Sequence, residues 1–202
     1  MCKYMGVHVR RGACLLGLIT LALTIFSGCA HMGVPLCYKR VFTTENGHVV
    51  VLEWGKDSTD PDGECVEVRV EGCDGCTDKC NFEVWGRVID SWVADLDADG
   101  KPEVVVVSQS FGTGVYGEVR VVTMAATGLS VVNFPSEAGD SEIGYMGHDN
   151  FSRDGRRIVR TFPIYAANDP NCCPTGGSRK IIYEFNGKKL VPVELKDSDK
   201  EP

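Results

Sequence analysis

Apolar and polar residues alternate along most of the chain, and this alternation constrains the fold more than any other feature. In Val66–Val70 every second residue is valine, with Glu67 and Arg69 between them, as in a strand that buries one face. No stretch beyond residue 29 has the period of a helix. Comparable runs are Gly47–Trp54, Asn81–Ile89, Glu103–Gln109, Gly117–Ala125, Ser130–Phe134, Arg157–Phe162, Lys180–Phe185 and Lys189–Leu195.

Dipeptides that favour tight turns separate these runs. Val104–Val107 is apolar on both sides, which predicts a central strand covered on both faces. Short strands with such turns predict an all-β fold, here a single antiparallel β-sandwich of about eight strands over residues 37–195. Residues 29–36 are predicted to be a tether and residues 196–202 a disordered tail. The turn signals are Asn46-Gly47, Asp62-Gly63, Asp99-Gly100, Asp154-Gly155 and Asn186-Gly187.

The first 28 residues have the composition of a signal peptide. Lys3, Arg10 and Arg11 precede an apolar run, Ala13–Phe26, that is too short for an ordinary membrane-spanning helix. The run leads into Ser27-Gly28-Cys29, which resembles the lipobox of bacterial lipoproteins. This resemblance implies a lipoprotein signal peptide over residues 1–28, lipidation of Cys29, and anchoring in the periplasm at the outer membrane. An ordinary secretory leader cut nearby is the alternative.

Composition and charge agree with export from the cytoplasm. Ten cysteines in 202 residues are too many for an ordinary reduced cytosolic protein. Loss of the leader removes three basic residues, so 18 basic and 28 acidic residues remain and the formal charge is −10. Such a surface excludes nucleic acid as a partner, because phosphate binding needs a basic surface, and it attracts cationic partners.

Six cysteines are candidates for disulfide bonds, which an oxidising compartment favours. The three cysteines within residues 73–80 would also suit zinc, although no fourth ligand lies near them in sequence. Adjacent cysteines rarely bridge each other, so we expect one of the pair at 172–173 to bond a cysteine within residues 65–80. The pairing stays open. The six are Cys65, Cys73, Cys76, Cys80, Cys172 and Cys173.

Alternating carboxylates lie between two of the predicted strands. Asp95, Asp97 and Asp99 precede Gly100, and Glu103 follows, a pattern that wraps oxygen ligands around calcium. The segment resembles the calcium loops of β-propeller repeats, and it lacks the twelfth-position ligand and the following helix of an EF-hand. A solvated Asp-rich turn without an ion is the alternative. We expect no cofactor to be required, and calcium is the ion that the chain is equipped to bind.

The sequence contains no catalytic constellation. It has no Gly-x-Ser-x-Gly elbow, no phosphate-binding loop with lysine and no His-Glu-x-x-His motif. For His148-Asp149, a buried structural hydrogen bond is favoured over a catalytic pair. We therefore expect that the protein is not an enzyme.

Residues 108–117 are the segment best suited to recognition of a partner. They combine three glycines with hydroxyl residues, and they carry no charge. Glycine permits unusual backbone angles, so this hairpin would present Tyr116 outward as a stiff aromatic side chain. A glycine hairpin with Tyr116 folded back on the core is the alternative.

Three segments in order resemble the bacterial periplasmic inhibitors of invertebrate-type (I-type) lysozyme. They are Asp95–Gly117, Tyr145–Asp149 and Arg160–Arg179, and they span roughly the C-terminal half of the chain. The resemblance implies a β-sandwich with a loop that enters the lysozyme active-site cleft. It assigns this contact to Thr113, Gly114, Val115, Tyr116 and Gly117, with the Thr113 hydroxyl where the family has serine.

The resemblance therefore implies an inhibitor of I-type lysozyme that protects bacterial peptidoglycan, with the lysozyme as its protein partner. The chemistry agrees, because lysozymes keep two carboxylic groups in a deep cleft. A hydroxyl and a phenol can hydrogen-bond both groups without bringing a charge. A calcium-stabilised β-rich binding module of the envelope, without lysozyme inhibition, is the alternative function.

Overall fold

The computed structural model describes residues 36–44, 47–54, 64–72, 78–125, 128–135 and 143–198. These residues form twelve strands and no helix, and thus no helix long and apolar enough to cross a membrane. The strands are β1 (Leu36–Thr44), β2 (Gly47–Trp54), β3 (Glu64–Glu71), β4 (Lys79–Val84), β5 (Arg87–Ala94), β6 (Glu103–Gln109), β7 (Gly117–Ala125), β8 (Gly128–Asn133), β9 (Asn150–Asp154), β10 (Arg157–Pro163), β11 (Ser178–Phe185) and β12 (Leu190–Ser198).

The strands form three antiparallel sheets of four strands each. Their orders are β1-β2-β3-β4, β5-β6-β7-β8 and β12-β11-β10-β9. The all-β class is confirmed, whereas the single sandwich of about eight strands is wrong. The alternation of apolar and polar residues indicates that a strand has a buried face, but it does not indicate which sheet covers that face. The number of sheets could therefore not be predicted from it.

The sheet β5–β8 lies between the other two, because its two faces belong to two separate cores. Val105 and Val107 pack with residues of β9–β12, whereas Val104 and Val106 pack with residues of β1–β4. All four valines are at most 1% exposed. The predicted central strand, covered on both faces, is therefore confirmed for β6.

The predicted run Asn81–Ile89 is in fact two strands in different sheets. β4 ends at Val84 and β5 begins at Arg87, and the chain turns at Trp85 and Gly86. Gly86 has a φ of 83°, and a Cβ there would lie 1.8 Å from the carbonyl oxygen of Gln109. Only glycine fits this turn, which brings the β4–β5 connection against the end of β6.

The predicted tail begins too early. β12 continues through residues 196–198, and Asp197 receives two hydrogen bonds from Arg179, at 2.7 and 2.8 Å. The Arg179 guanidinium lowers the pKa of this carboxyl. The charged composition that suggested disorder is thus the outer surface of an edge strand.

Candidate functional site

The connection between β6 and β7, residues 110–116, forms a closed loop that we call the recognition loop. The amide of Ser110 donates to the carbonyl oxygen of Tyr116 at 2.8 Å, and the amide of Tyr116 donates to Oγ of Ser110 at 2.9 Å. These two bonds fasten the ends of the loop together. The hydroxyl of Ser110 therefore does structural work at the base of the loop.

Two neighbouring loops brace the tip of the recognition loop. The amide of His148 donates to the carbonyl oxygen of Gly114 at 2.6 Å, and Nδ2 of Asn171 donates to that of Thr113 at 3.3 Å. A Cβ at Gly147, which has a φ of 88°, would lie 2.0 Å from the Gly114 oxygen. The close approach of the two loops thus requires glycine at position 147.

Val115, at the tip, has a φ of 44°. This left-handed conformation is unusual for any residue with a Cβ, and more so for a β-branched one. Such a residue costs on the order of 1–3 kcal/mol and persists where its surroundings hold it, often at binding sites. The strain at Val115 is one reason to regard the recognition loop as functional.

The predicted recognition residues come together in this loop, and Gly117 is the first residue of β7. Thr113 is exposed at the tip. Tyr116 is 49% exposed, and its ring meets Tyr145 edge to face with centroids 5.7 Å apart. A Cβ at Gly114 would lie 2.5 Å from Cε2 of Tyr116, so the ring lies across this glycine. About half of the Tyr116 surface is thus exposed, and its ring is supported by Gly114 and Tyr145.

A buried ion pair anchors the start of β7. Asp149 Oδ2 accepts the amide of Gly117 at 2.7 Å and the hydroxyl of Tyr145, and Oδ1 accepts Nε of Arg160 at 2.7 Å. The Asp149 side chain is fully buried and that of Arg160 is 5% exposed. The Arg160 guanidinium also lies 4.6 Å from the ring centroid of Tyr145 and 4.8 Å from that of Phe162.

The environment of this pair favours a charged guanidinium on Arg160 and a neutral phenol on Tyr145. Burial disfavours the charged guanidinium, but the adjacent Asp149 carboxylate outweighs this and raises the pKa of Arg160. Burial, reinforced by the hydrogen bond to Asp149, also raises the pKa of Tyr145. The support beneath the recognition loop is therefore a fixed ion pair with a neutral phenol.

His148 and Asp149 do not act as a pair. Asp149 is held by Arg160, and the His148 ring instead stacks on Tyr165 with centroids 6.2 Å apart. Nε2 of His148 is buried without a hydrogen-bond partner among the described residues. Of the two residues, only Asp149 has the buried structural hydrogen bond that was expected, and its partner is Arg160, which is distant in sequence.

A groove beside the recognition loop was not predicted from the sequence. It has a volume of about 700 Å³, and we call it the aromatic groove. Trp85, Phe111 and Tyr116 project at its edge with 73%, 57% and 49% of their surfaces exposed. Phe134, Pro135 and Glu118 also line it. Exposed aromatic residues around one concavity are typical of a protein contact site.

The acidic turn between β5 and β6 brings together three of its four predicted ligands. Carboxylate oxygens of Asp95, Asp97 and Asp99 lie within 4.8 Å of one another, and Oδ1 of Asp95 is buried without a hydrogen-bond partner. Glu103 is not in this group, since it is 3% exposed and accepts the amide of Leu96 at 2.7 Å. Burial, aided by the three aspartates, raises the pKa of Glu103 to about 7.

The strand register restricts how the cysteines pair. Cys65 lies opposite Glu83 and Cys80 opposite Val68, so they are three positions apart on adjacent strands, roughly 10 Å. That exceeds the reach of a disulfide bond, so these two cysteines do not bond each other. Cys172 is a free, exposed thiol. Cys29, Cys73 and Cys76 lie outside the described residues, and the predicted link to residues 65–80 stays a prediction.

No protein-family model matches the chain, and no curated protein and no solved structure is significantly similar to it. The described residues define an all-β protein with a loop that neighbouring loops brace and that carries no charged residue.

Proposed function

We propose that the protein is an inhibitor of I-type lysozyme whose recognition loop enters the active-site cleft of the enzyme. The observation that carries this proposal is the state of the loop: its tip presents Thr113 and half of Tyr116, while its backbone is fixed from below. The resemblance to the periplasmic inhibitors of I-type lysozyme names the partner. The loop is the contact that this resemblance assigns.

A braced loop suits tight binding because little conformational freedom is lost when it docks. Bonds from Ser110, His148 and Asn171 hold its backbone before any partner arrives. Tyrosine adds a large contact area with only two side-chain torsions to fix. We therefore expect the loop to dock with little change in its backbone conformation, as pre-organised binding surfaces do.

The chemistry of the loop suits a cleft that contains carboxylic groups. No residue between 108 and 117 is charged, so insertion of the loop brings no additional charge into the cleft. The Thr113 hydroxyl and the Tyr116 phenol can each donate to a carboxylate or accept from a carboxylic acid. The formal charge of −10 after loss of the leader would speed encounter with a basic enzyme.

We further propose that the protein is a lipoprotein of the bacterial envelope, anchored through Cys29 at the periplasmic side of the outer membrane. The support is the sequence Ser27-Gly28-Cys29 behind an apolar run with basic residues before it. Two or three acyl chains suffice for stable attachment. Such an anchor would hold the inhibitor beside the peptidoglycan that it protects.

The test is inhibition of purified I-, c- and g-type lysozymes by the protein without its leader. We expect inhibition of the I-type enzyme with little effect on the others. Tyr116→Ala should weaken binding by about 2 kcal/mol or more, about thirtyfold in affinity. Leu195→Ala is the matched control, because Leu195 is 50% exposed on β12, outside the loop, and should bind like the parent. A fully active I-type enzyme at micromolar inhibitor would refute the proposal.

A calcium-stabilised binding module of the envelope is the second candidate. The observation in its favour is the cluster of Asp95, Asp97 and Asp99, in which three carboxylates lie close together and one buried oxygen has no partner. Close carboxylates repel one another unless a cation lies between them. This candidate predicts binding to another envelope component that depends on calcium, with every lysozyme left active.

A further inference from the structure

The aromatic groove adjoins the recognition loop, and the two share Ser110, Phe111 and Tyr116. A partner that takes Tyr116 into its cleft would therefore bring the rim of that cleft near Trp85 and Phe111. Both side chains are more than half exposed. Building on the proposed function, we infer that the aromatic groove receives a basic side chain from the rim of the lysozyme cleft.

The charge and chemistry of the lining support a cation as the occupant. Glu118 is the only charged residue among the described residues that line the groove. Arg120 bonds Oε1 of Glu118, which leaves Oε2 for a second cation. The faces of Trp85, Phe111 and Tyr116 attract a guanidinium or ammonium group, and tryptophan does so most strongly. Apart from Arg120, which pairs with Glu118 from outside the lining, no basic side chain among the described lining residues competes for the site.

The groove also has room for such a side chain. Its volume of about 700 Å³ exceeds what one arginine or lysine needs, so part of the partner backbone can follow. The stem of a basic side chain would pack on Phe134 and Pro135 while its head lies near Glu118. The groove thus adds specificity for lysozymes that carry a basic residue at this place on the rim.

The test measures the affinity of three variants for native I-type lysozyme, for lysozyme with acetylated lysines and for lysozyme with phenylglyoxal-modified arginines. With the native enzyme, Trp85→Leu and Phe111→Leu should each weaken binding about three- to thirtyfold, and Trp85→Phe, which keeps a ring, should lose less. One of the two modifications should remove the basic group that occupies the groove, so the parent and Trp85→Leu should bind that modified enzyme with equal affinity. Whether this is the lysine-modified or the arginine-modified enzyme identifies the basic residue as lysine or arginine. Unchanged melting temperatures confirm that the variants fold.

Two results would overturn the inference alone while the proposed function stands. One is that Trp85→Leu binds native lysozyme with the affinity of the parent. The other is that Trp85→Leu loses affinity by the same factor for the native enzyme and for both modified enzymes, which indicates an apolar occupant. If the parent protein does not bind I-type lysozyme at all, the proposed function fails and this inference fails with it.

Discussion

Replacing Asp149 with asparagine removes one charge from beneath the recognition loop and leaves Arg160 buried without its counter-ion. The Arg160 side chain is 5% exposed and is enclosed by aromatic rings, so water cannot replace the lost partner. Breaking a buried pair in this way costs about 3–5 kcal/mol. The carboxylate of Asp149 has two oxygens, which accept hydrogen bonds from Gly117, Tyr145 and Arg160. The asparagine amide has only one acceptor oxygen, so it cannot accept all three in the same way.

The assay is urea denaturation of parent and variant, with the slope m checked for equality. Glu184→Gln is the matched control, because it breaks an Arg–carboxylate pair whose side chains are 48% and 49% exposed. This exposed pair should contribute less than about 1 kcal/mol. A double variant, Asp149→Asn with Arg160→Met, should cost less than the sum of the two single changes.

The reasoning about the buried pair would be refuted by an Asp149→Asn protein within about 1 kcal/mol of the parent. A folded Asp149→Asn protein should also inhibit less well, because the amide of Gly117 at the foot of the loop loses its charged acceptor. Equal inhibition would show that the ion pair stabilises the domain without positioning the loop.

Three further predictions concern the loop, the acidic turn and the anchor. Gly147→Ala should reduce inhibition at least about tenfold, because its Cβ would lie 2.0 Å from the Gly114 oxygen. Gly112→Ala is the control and should have a smaller effect, because Gly112 also has a positive φ but a Cβ there meets nothing within 4 Å. Equal effects of the two variants would contradict the contact between the loops. Calcium at a hundredfold excess over Kd should raise the free energy of unfolding by about 2.7 kcal/mol, so the melting temperature should be higher in millimolar calcium than in chelator. Asp97→Asn should abolish this rise, and no rise in the parent would exclude the site. Cys29→Ser should abolish acylation and membrane attachment in cells; a variant that is processed and membrane-bound like the parent would exclude the lipoprotein assignment.

The fold class and many strand positions could be predicted from local sequence. The bounds of β2, β6 and β7 match the predicted runs, because alternating valines and flanking glycines act within a few residues of each other. β9 was missed, since Asn150–Asp154 is polar at four of five positions and becomes a strand only by pairing with β10. The run Asn81–Ile89 looked continuous because a turn between two sheets interrupts neither β-propensity nor alternation.

The residues of the recognition loop were also predicted from the sequence, since glycines, hydroxyls and an aromatic residue lie together there. Its supports were not, because Asp149 and Arg160 are separated from Gly117 by 32 and 43 positions. Trp85 and Phe111 likewise share the aromatic groove only because the β4–β5 turn packs against the end of β6. Local composition thus indicated a loop of glycines, hydroxyls and an aromatic residue, and the packing of distant strands decided which groups brace that loop and which lie beside it.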